Sequence, residues 1–220
     1  MAEAVRPRLR RQALSLAFAV GPFGIAFGVI CSEAGLSVAQ SIGFSSLVFT
    51  GGTQFAAVGV LSDGGTAVAA ISAGLLLSVR SLAFGVAMAP ALRGSFFARA
   101  AMSQLMIDEA MAVGTSAVDL DDRRYGYLWG GLAVFVVWNI TTVAGRLLVD
   151  TDSDVVTDFG LDATIPAAFL ALVWPRLADP DQRRTALAGA LIALALVPLT
   201  PPGVPIVVAA LGVLAARPAR

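Results

Sequence analysis

Histidine and lysine are absent from this chain of 220 residues, and cysteine occurs once, at Cys31. A lone cysteine rules out an internal disulfide. Without an imidazole or paired thiolates, zinc sites of the usual His/Cys kind, Ser-His catalysis and Cys-His catalysis all lack their parts, so an intramembrane protease is a poor reading and no cofactor is called for. Charge is also scarce: 14% of residues carry it, against about 25% in a soluble domain. The net charge is zero, so bulk electrostatics points to no nucleic-acid partner. All fifteen basic residues are Arg, a bias read as compositional rather than chemical.

What remains is apolar length. Hydrophobic residues make up 57% of the chain and mean hydropathy is +0.82, more than one soluble core can hide. The sequence predicts an all-α polytopic membrane protein, because open strands cannot cross lipid. Hydropathy places spans near 13–32, 38–61, 66–90, 100–118, 126–149, 159–175, 185–199 and 203–216, with the last two separated by "TPPG" and short enough to be one broken span. Seven or eight crossings are expected within a single integral domain over 1–220, made of a basic cytoplasmic N-terminus at 1–12 and membrane spans over 13–216. The first apolar run is too long for a signal-peptide core and is read as the first span.

Orientation follows arginine. Arg6, Arg8, Arg10 and Arg11 place the N-terminus inside, and a count of eight crossings puts Arg123, Arg124, Arg176, Arg183, Arg184, Arg217 and Arg220 inside too. Asp150, Asp152, Asp154 and Asp158 then fall outside, in a segment without the spacing of a Ca²⁺ loop. Arg93 and Arg99 disobey, falling outside on this count. Either that loop is tolerated, or one of the second to fourth spans is re-entrant or broken.

Several polar positions sit where lipid offers them nothing. Gly51, Gly52, Thr53 and Gln54 lie near the centre of the second span. Two adjacent glycines weaken a helix by about 1 kcal/mol each relative to Ala, enough to open it and present backbone groups to a zwitterionic solute. Close helix packing is the competing use, and substrate lining is preferred for the polar content. "GPFGIAFG" (21–28) offers a second candidate break, with packing and kinking at least as good an account. Arg80 lies about fifteen residues into its span, where a charge costs at least about 2.5 kcal/mol. Asp108 and Glu109, expected near the middle of the next span, are its candidate partners; one carboxylate can pair with Arg80 while the other carries a proton, or the pair is purely structural. Asn139, Thr141 and Thr142 repeat the polar-cluster pattern, and the similarity between 51–54 and 139–142 suggests an inverted repeat. Pro166 is expected to kink the sixth span near an interfacial Asp162.

Taken in order, "GIAFGVICSEAGLS" (25–37), "VFTGGTQFAAVGVL" (48–61), "SVRSLAFGVAMAP" (78–90), "MIDEAMAVGT" (106–115) and "ATIPAAFLAL" (163–172) resemble the AzlC-like branched-chain amino acid permease family, the larger subunit of two-component exporters. The family's G-A-S-Q element falls on Gly51, Gly52, Thr53 and Gln54, its V-R-H element on Val79, Arg80 and Ser81, and its T-D-E element on Ile107, Asp108 and Glu109. Ser81 stands where many members have His, removing a group that titrates near neutral pH, and Ile107 stands where many have Thr. The resemblance implies a bacterial inner-membrane secondary exporter of branched-chain or other neutral amino acids, proton-coupled, without enzyme chemistry. It also implies a small multi-span AzlD-like partner subunit. Gly51 to Gln54, Arg80 and Asn139 are the expected substrate-binding residues, and Asp108 and Glu109 the expected coupling residues. A non-transporting membrane scaffold subunit is the rival reading.

Overall fold

The computed structural model describes residues 2–151, 170 and 173–216, and every regular element among them is helical. Asp152, Asp154, Asp158, Asp162, Pro166, Arg217 and Arg220, and with them most of the expected sixth span, lie outside the described residues. The elements in order are α1 (Ala2–Glu33), α2 (Val38–Leu47), α3 (Gly51–Ser62), α4 (Ala67–Ser78), α5 (Arg80–Met88), α6 (Phe96–Ser103), α7 (Asp108–Thr115) and α8 (Leu120–Thr151). A 3-10 turn (Trp174–Ala178), α9 (Pro180–Leu196), α10 (Val204–Ala209) and a second 3-10 stretch (Ala210–Ala215) follow.

The frame is the pair α1 and α8, each of 32 residues and hence about 48 Å long, more than the hydrocarbon thickness of a bilayer. Their contacts climb together: Arg6 bonds Asp122, Arg10 stacks on Trp129, Gly24 meets Thr141 and Gly28 meets Thr142 and Arg146. The two helices therefore run parallel. They touch backbone to backbone at two points, since a Cβ at Gly28 would land on the Thr142 carbonyl and one at Gly145 on the Ile25 carbonyl, while one at Gly24 would land on the Thr141 hydroxyl. The "GPFGIAFG" stretch is thus a packing surface. α1 stays helical through Pro22, and the break considered for it does not occur.

Parallel α1 and α8 require an odd number of crossings between them, and the contacts show which segment makes one. Descending α8 from its C-terminal end, α2 pairs Ser45 with Thr142 and Ser46 with Asn139, and Phe49 just beyond it meets Phe135. After a break at Val48 to Thr50 the chain climbs again: Gly51 meets Trp138, Phe55 meets Phe27, and Gly59 meets Ile30. Segment 38–62 therefore enters and leaves at the same end of the frame. α4 descends beside α3, with Gly74 against Thr53 and Ala57, and α5 continues it beyond a one-residue irregularity at Val79. Beyond α5 the chain returns through α6, whose end brings the Met102 carbonyl to Tyr127 and Leu105 to Gly131. After a break at 104–107, α7 descends again, with Ala110 on Gly130, Val113 on Gly126 and Ser116 beside Arg8 and Gln12.

Residues 38–62 and 96–115 are thus two re-entrant hairpins that dip in from opposite ends and meet in the middle. This corrects the expected spans at 38–61 and 100–118: neither is a crossing. Their arms, 10, 12, 8 and 8 residues long, are too short for the roughly 20 residues a crossing needs. The helices long and apolar enough to cross among the described residues are three: Val5–Glu33, Ala67–Met88 and Leu120–Val149. Each of the first two is followed by a hairpin on its exit side, so the α1–α3 and α4–α7 units have inverted topology. The counterpart of 51–54 is accordingly the start of α7; residues 139–142 lie in unbroken α8.

Apolar side chains line the outside of α4 and α5 at helical spacing, Val68, Ile71, Leu75, Val79, Leu82 and Val86, all exposed, as a helix facing hydrocarbon requires. The frame's glycines carry the first prediction. Gly28→Val is expected to destabilise the fold by at least about 1–3 kcal/mol, because backbone occupies the space its side chain needs. Gly43→Ala, with nothing within 4 Å, is expected to be neutral or stabilising by up to about 1 kcal/mol. Thermal unfolding of the purified chain in detergent checks the ranking, and equal behaviour of the two variants would contradict this packing.

Candidate functional site

A membrane interior leaves the backbone groups at a helix break without water, so each break must be served by protein. α2 ends in a cluster of freed carbonyls, buried at Ser45 and exposed at Leu47, and two glutamines serve it. Gln54 Nε2 donates to the Ser45 carbonyl at 3.1 Å and reaches the Phe44 carbonyl at 3.5 Å. Gln104 Nε2, from the break between α6 and α7, donates to the Ser46 and Leu47 carbonyls at 2.8 and 3.1 Å. The tip of one hairpin is thereby tied to the other.

The opposite polarity appears at the starts of α3 and α7. Thr50 is the N-cap of α3 but its hydroxyl makes no capping bond, and Gly51 and Gly52 form the first turn. The glycines are helical rather than unwound, contrary to the sequence expectation; the chain opens just before them, at Val48 to Thr50. Ile107 is the N-cap of α7 and has no side-chain oxygen with which to cap, where the related pattern has Thr. Asp108 and Glu109 occupy the first turn of α7, not the middle of a span as expected. Two uncapped helix N-termini, each an end of positive dipole, thus face one central region.

Arg80 lies between them. Its Nη1 is 2.9 Å from Asp108 Oδ2 and its Nη2 donates to Thr50 Oγ1 at 3.3 Å. The guanidinium lies over Gly52, where a Cβ would stand 3.4 Å from Nη2. A central cavity of about 60 Å³ is lined by Gly51, Gly52, Arg80, Asp108 and Glu109, with walls from Val20, Phe23, Phe55, Ile107 and Trp138. That is room for about two water molecules. Trp138 is 5% exposed and its indole Nε1 has no hydrogen-bond partner among the described residues.

Five of the eight residues singled out in the sequence therefore meet at one cavity. The other three stand around it. Thr53 turns away from it and shares a hydrogen bond with Ser78 at 3.0 Å, beside a separate apolar groove between α3 and α4. Gln54 is fully buried and donates to the end of α2, while its Oε1 finds no partner among the described residues. Asn139 accepts from Ser46 at 2.8 Å and donates to the Phe135 carbonyl. Sequence reading missed Thr50, Gln104 and Trp138. Gln104 carried a signal, being an amide in an apolar stretch like Gln54; Trp138 carried none that separates it from an interfacial tryptophan.

The glutamine bridges make a second prediction. Removing the donor in Gln54→Leu leaves the Ser45 carbonyl unserved and is expected to lower stability by about 1–3 kcal/mol. Gln104→Leu, which strips the Ser46 and Leu47 carbonyls, is expected to act in the same direction. Both losses should appear in thermal unfolding with no solute present. A fully stable Gln54→Leu protein would remove Gln54 from this bracing role.

Comparison with known proteins sets the chain among membrane proteins. The chain is 24% identical over 135 residues to the inner membrane protein YgaZ of Escherichia coli strain K12, covering 59% of this chain and 54% of that protein, so it spans about half of YgaZ's length. It is 29% identical over 191 residues to an uncharacterized membrane protein of Archaeoglobus fulgidus, covering 86% of this chain and 84% of the relative. No solved structure matches. The family model described as AzlC protein matches residues 15–151, the stretch that contains most of the parallel frame, both hairpins and the whole central cavity, and the chain belongs to the AzlC family of membrane proteins.

Proposed function

We propose that this chain is the large subunit of a secondary exporter of branched-chain or other neutral amino acids, coupled to proton movement and acting with a small multi-span membrane subunit. One observation carries the reading: two half-helix N-termini, from hairpins of opposite entry, meet around Arg80 with Asp108 and Glu109 at the same cavity. Broken helices that aim their N-termini at a central point are how secondary transporters hold the carboxylate of a solute at mid-membrane. A half-buried Arg beside two carboxylates supplies both signs of charge for a zwitterion. Asp108 or Glu109 is the proposed coupling group.

The arginines support an N-terminus in the cytoplasm of a bacterium. With two hairpins in place of two crossings, Arg93 and Arg99 fall at the same end of the frame as Arg6, Arg8, Arg123 and Arg124. The loop that disobeyed the count of crossings now obeys it. The relative YgaZ is named an inner membrane protein, in keeping with that location.

The small size of the cavity favours the rival reading, a scaffold whose polar centre only braces it. Efflux of labelled valine from cells expressing the chain with its small partner separates the two. Arg80→Ala and Gly52→Val, at membrane abundance matched to wild type, are each expected to reduce efflux at least about tenfold, the size of effect that loss of one charged contact gives. Full efflux in both variants would return the cavity to bracing.

A further inference from the structure

The two half-helices that meet at the cavity are not equivalent, and the difference gives the site a polarity. α3 begins with Gly51 and Gly52, has no acidic residue in its first turn and no side-chain cap on its first N–H groups. α7 begins with Asp108 and Glu109, which bring two carboxylates to the same region. Arg80 spans the gap, one nitrogen on Thr50 at the α3 side and the other on Asp108 at the α7 side. The side chains of Arg80 and Asp108 are 35% and 37% exposed, so the pair is reachable rather than sealed. The cavity holds about 60 Å³, the room of about two waters, and no amino acid enters unless something at its wall moves.

We propose that Asp108 is a built-in stand-in for the carboxylate of the solute, and that loading is an exchange of partners. This rests on the transport reading above. The carboxylate of an incoming amino acid takes Nη1 of Arg80 and the N–H groups at the start of α3, displacing Asp108. Asp108, released, joins Glu109 in receiving the ammonium group. No covalent bond changes, and each charge that loses a partner gains one. The exchange selects zwitterions: a monocarboxylate without an amine would strand Asp108 unpaired, and an amine without a carboxylate has nothing to offer Arg80 in its place. Gly52 lies against the guanidinium, where a Cβ would stand in ordinary contact, 3.4 Å from Nη2 and 3.9 Å from Nη1.

The test compares valine with 3-methylbutanoate, which lacks its amine, and isobutylamine, which lacks its carboxylate. Ligand-induced stabilisation of the full chain is read by thermal unfolding in detergent, with its small partner present. Valine is expected to stabilise wild type and the two fragments are not. In Asp108→Asn, 3-methylbutanoate is expected to act at concentrations at least about tenfold lower than in wild type, since it no longer competes with a resident carboxylate. Asp108→Ser, smaller and uncharged, serves if the Asn variant does not fold, and Arg80→Gln should respond to none of the three. Two results would overturn the exchange while leaving transport standing: wild type stabilised by 3-methylbutanoate as strongly as by valine, or variants at 108 that gain nothing for it while wild type binds valine. Wild type unmoved by valine and by other neutral amino acids would remove the transport reading and this inference together.

Discussion

A guanidinium in the middle of a membrane protein is costly, and here its two nitrogens hold the centre of the fold together. Arg80 belongs to the crossing helix of α4 and α5, yet its contacts lie on Thr50 at the tip of one hairpin and Asp108 at the tip of the other. Neither hairpin crosses, so neither is held by burial along a full span. Each depends on having its exposed tip satisfied, and one charged side chain reaches both. Gln104 adds a second tie, from the α6–α7 tip to the end of α2. The breaks in the helices are therefore mutually dependent.

The frame permits this. α1 and α8 approach so closely at Gly28 and Gly145 that their backbones touch, and small-residue packing of this kind is the main source of helix association where lipid removes the hydrophobic drive. Their parallel course leaves one crossing, α4 with α5, to return the chain, and the hairpins fill the space on either side. Phe27, Phe55 and Trp138 pack together above the cavity, Phe55 edge-on to both of the others, walling it from the end of the frame where α2 enters.

Polarity within the site follows from which residues begin each half-helix. Both N-termini bring positive dipole, but only α7 carries acidic side chains in its first turn. The consequence is a cavity with a cationic side, formed by Arg80 and the glycine turn, and an anionic side, formed by Asp108 and Glu109. The first turn of each half-helix sets its sign, and the inverted entry of the two hairpins brings the two to one cavity.

Much of the site was legible in the sequence, because a charge or paired glycines inside an apolar run must answer to something. Gly51, Gly52, Arg80, Asp108 and Glu109 stood out on that ground, and they meet. Gln54 and Asn139 stood out for the same reason but brace the fold: Gln54 donates to the freed Ser45 carbonyl, and Asn139 accepts from the Ser46 hydroxyl. Hydropathy measures how long an apolar segment is and not whether it turns back, so 38–61 and 100–118 read as crossings; the misplaced Arg93 and Arg99 were the trace of the error. The sequence by itself determined that the chain is helical, membrane-embedded and polar at a few buried points, because lipid tolerates no other backbone and few charges. Which points meet, and which segments cross, was decided by the tertiary structure, because those depend on contacts between residues distant in sequence that local pattern does not encode.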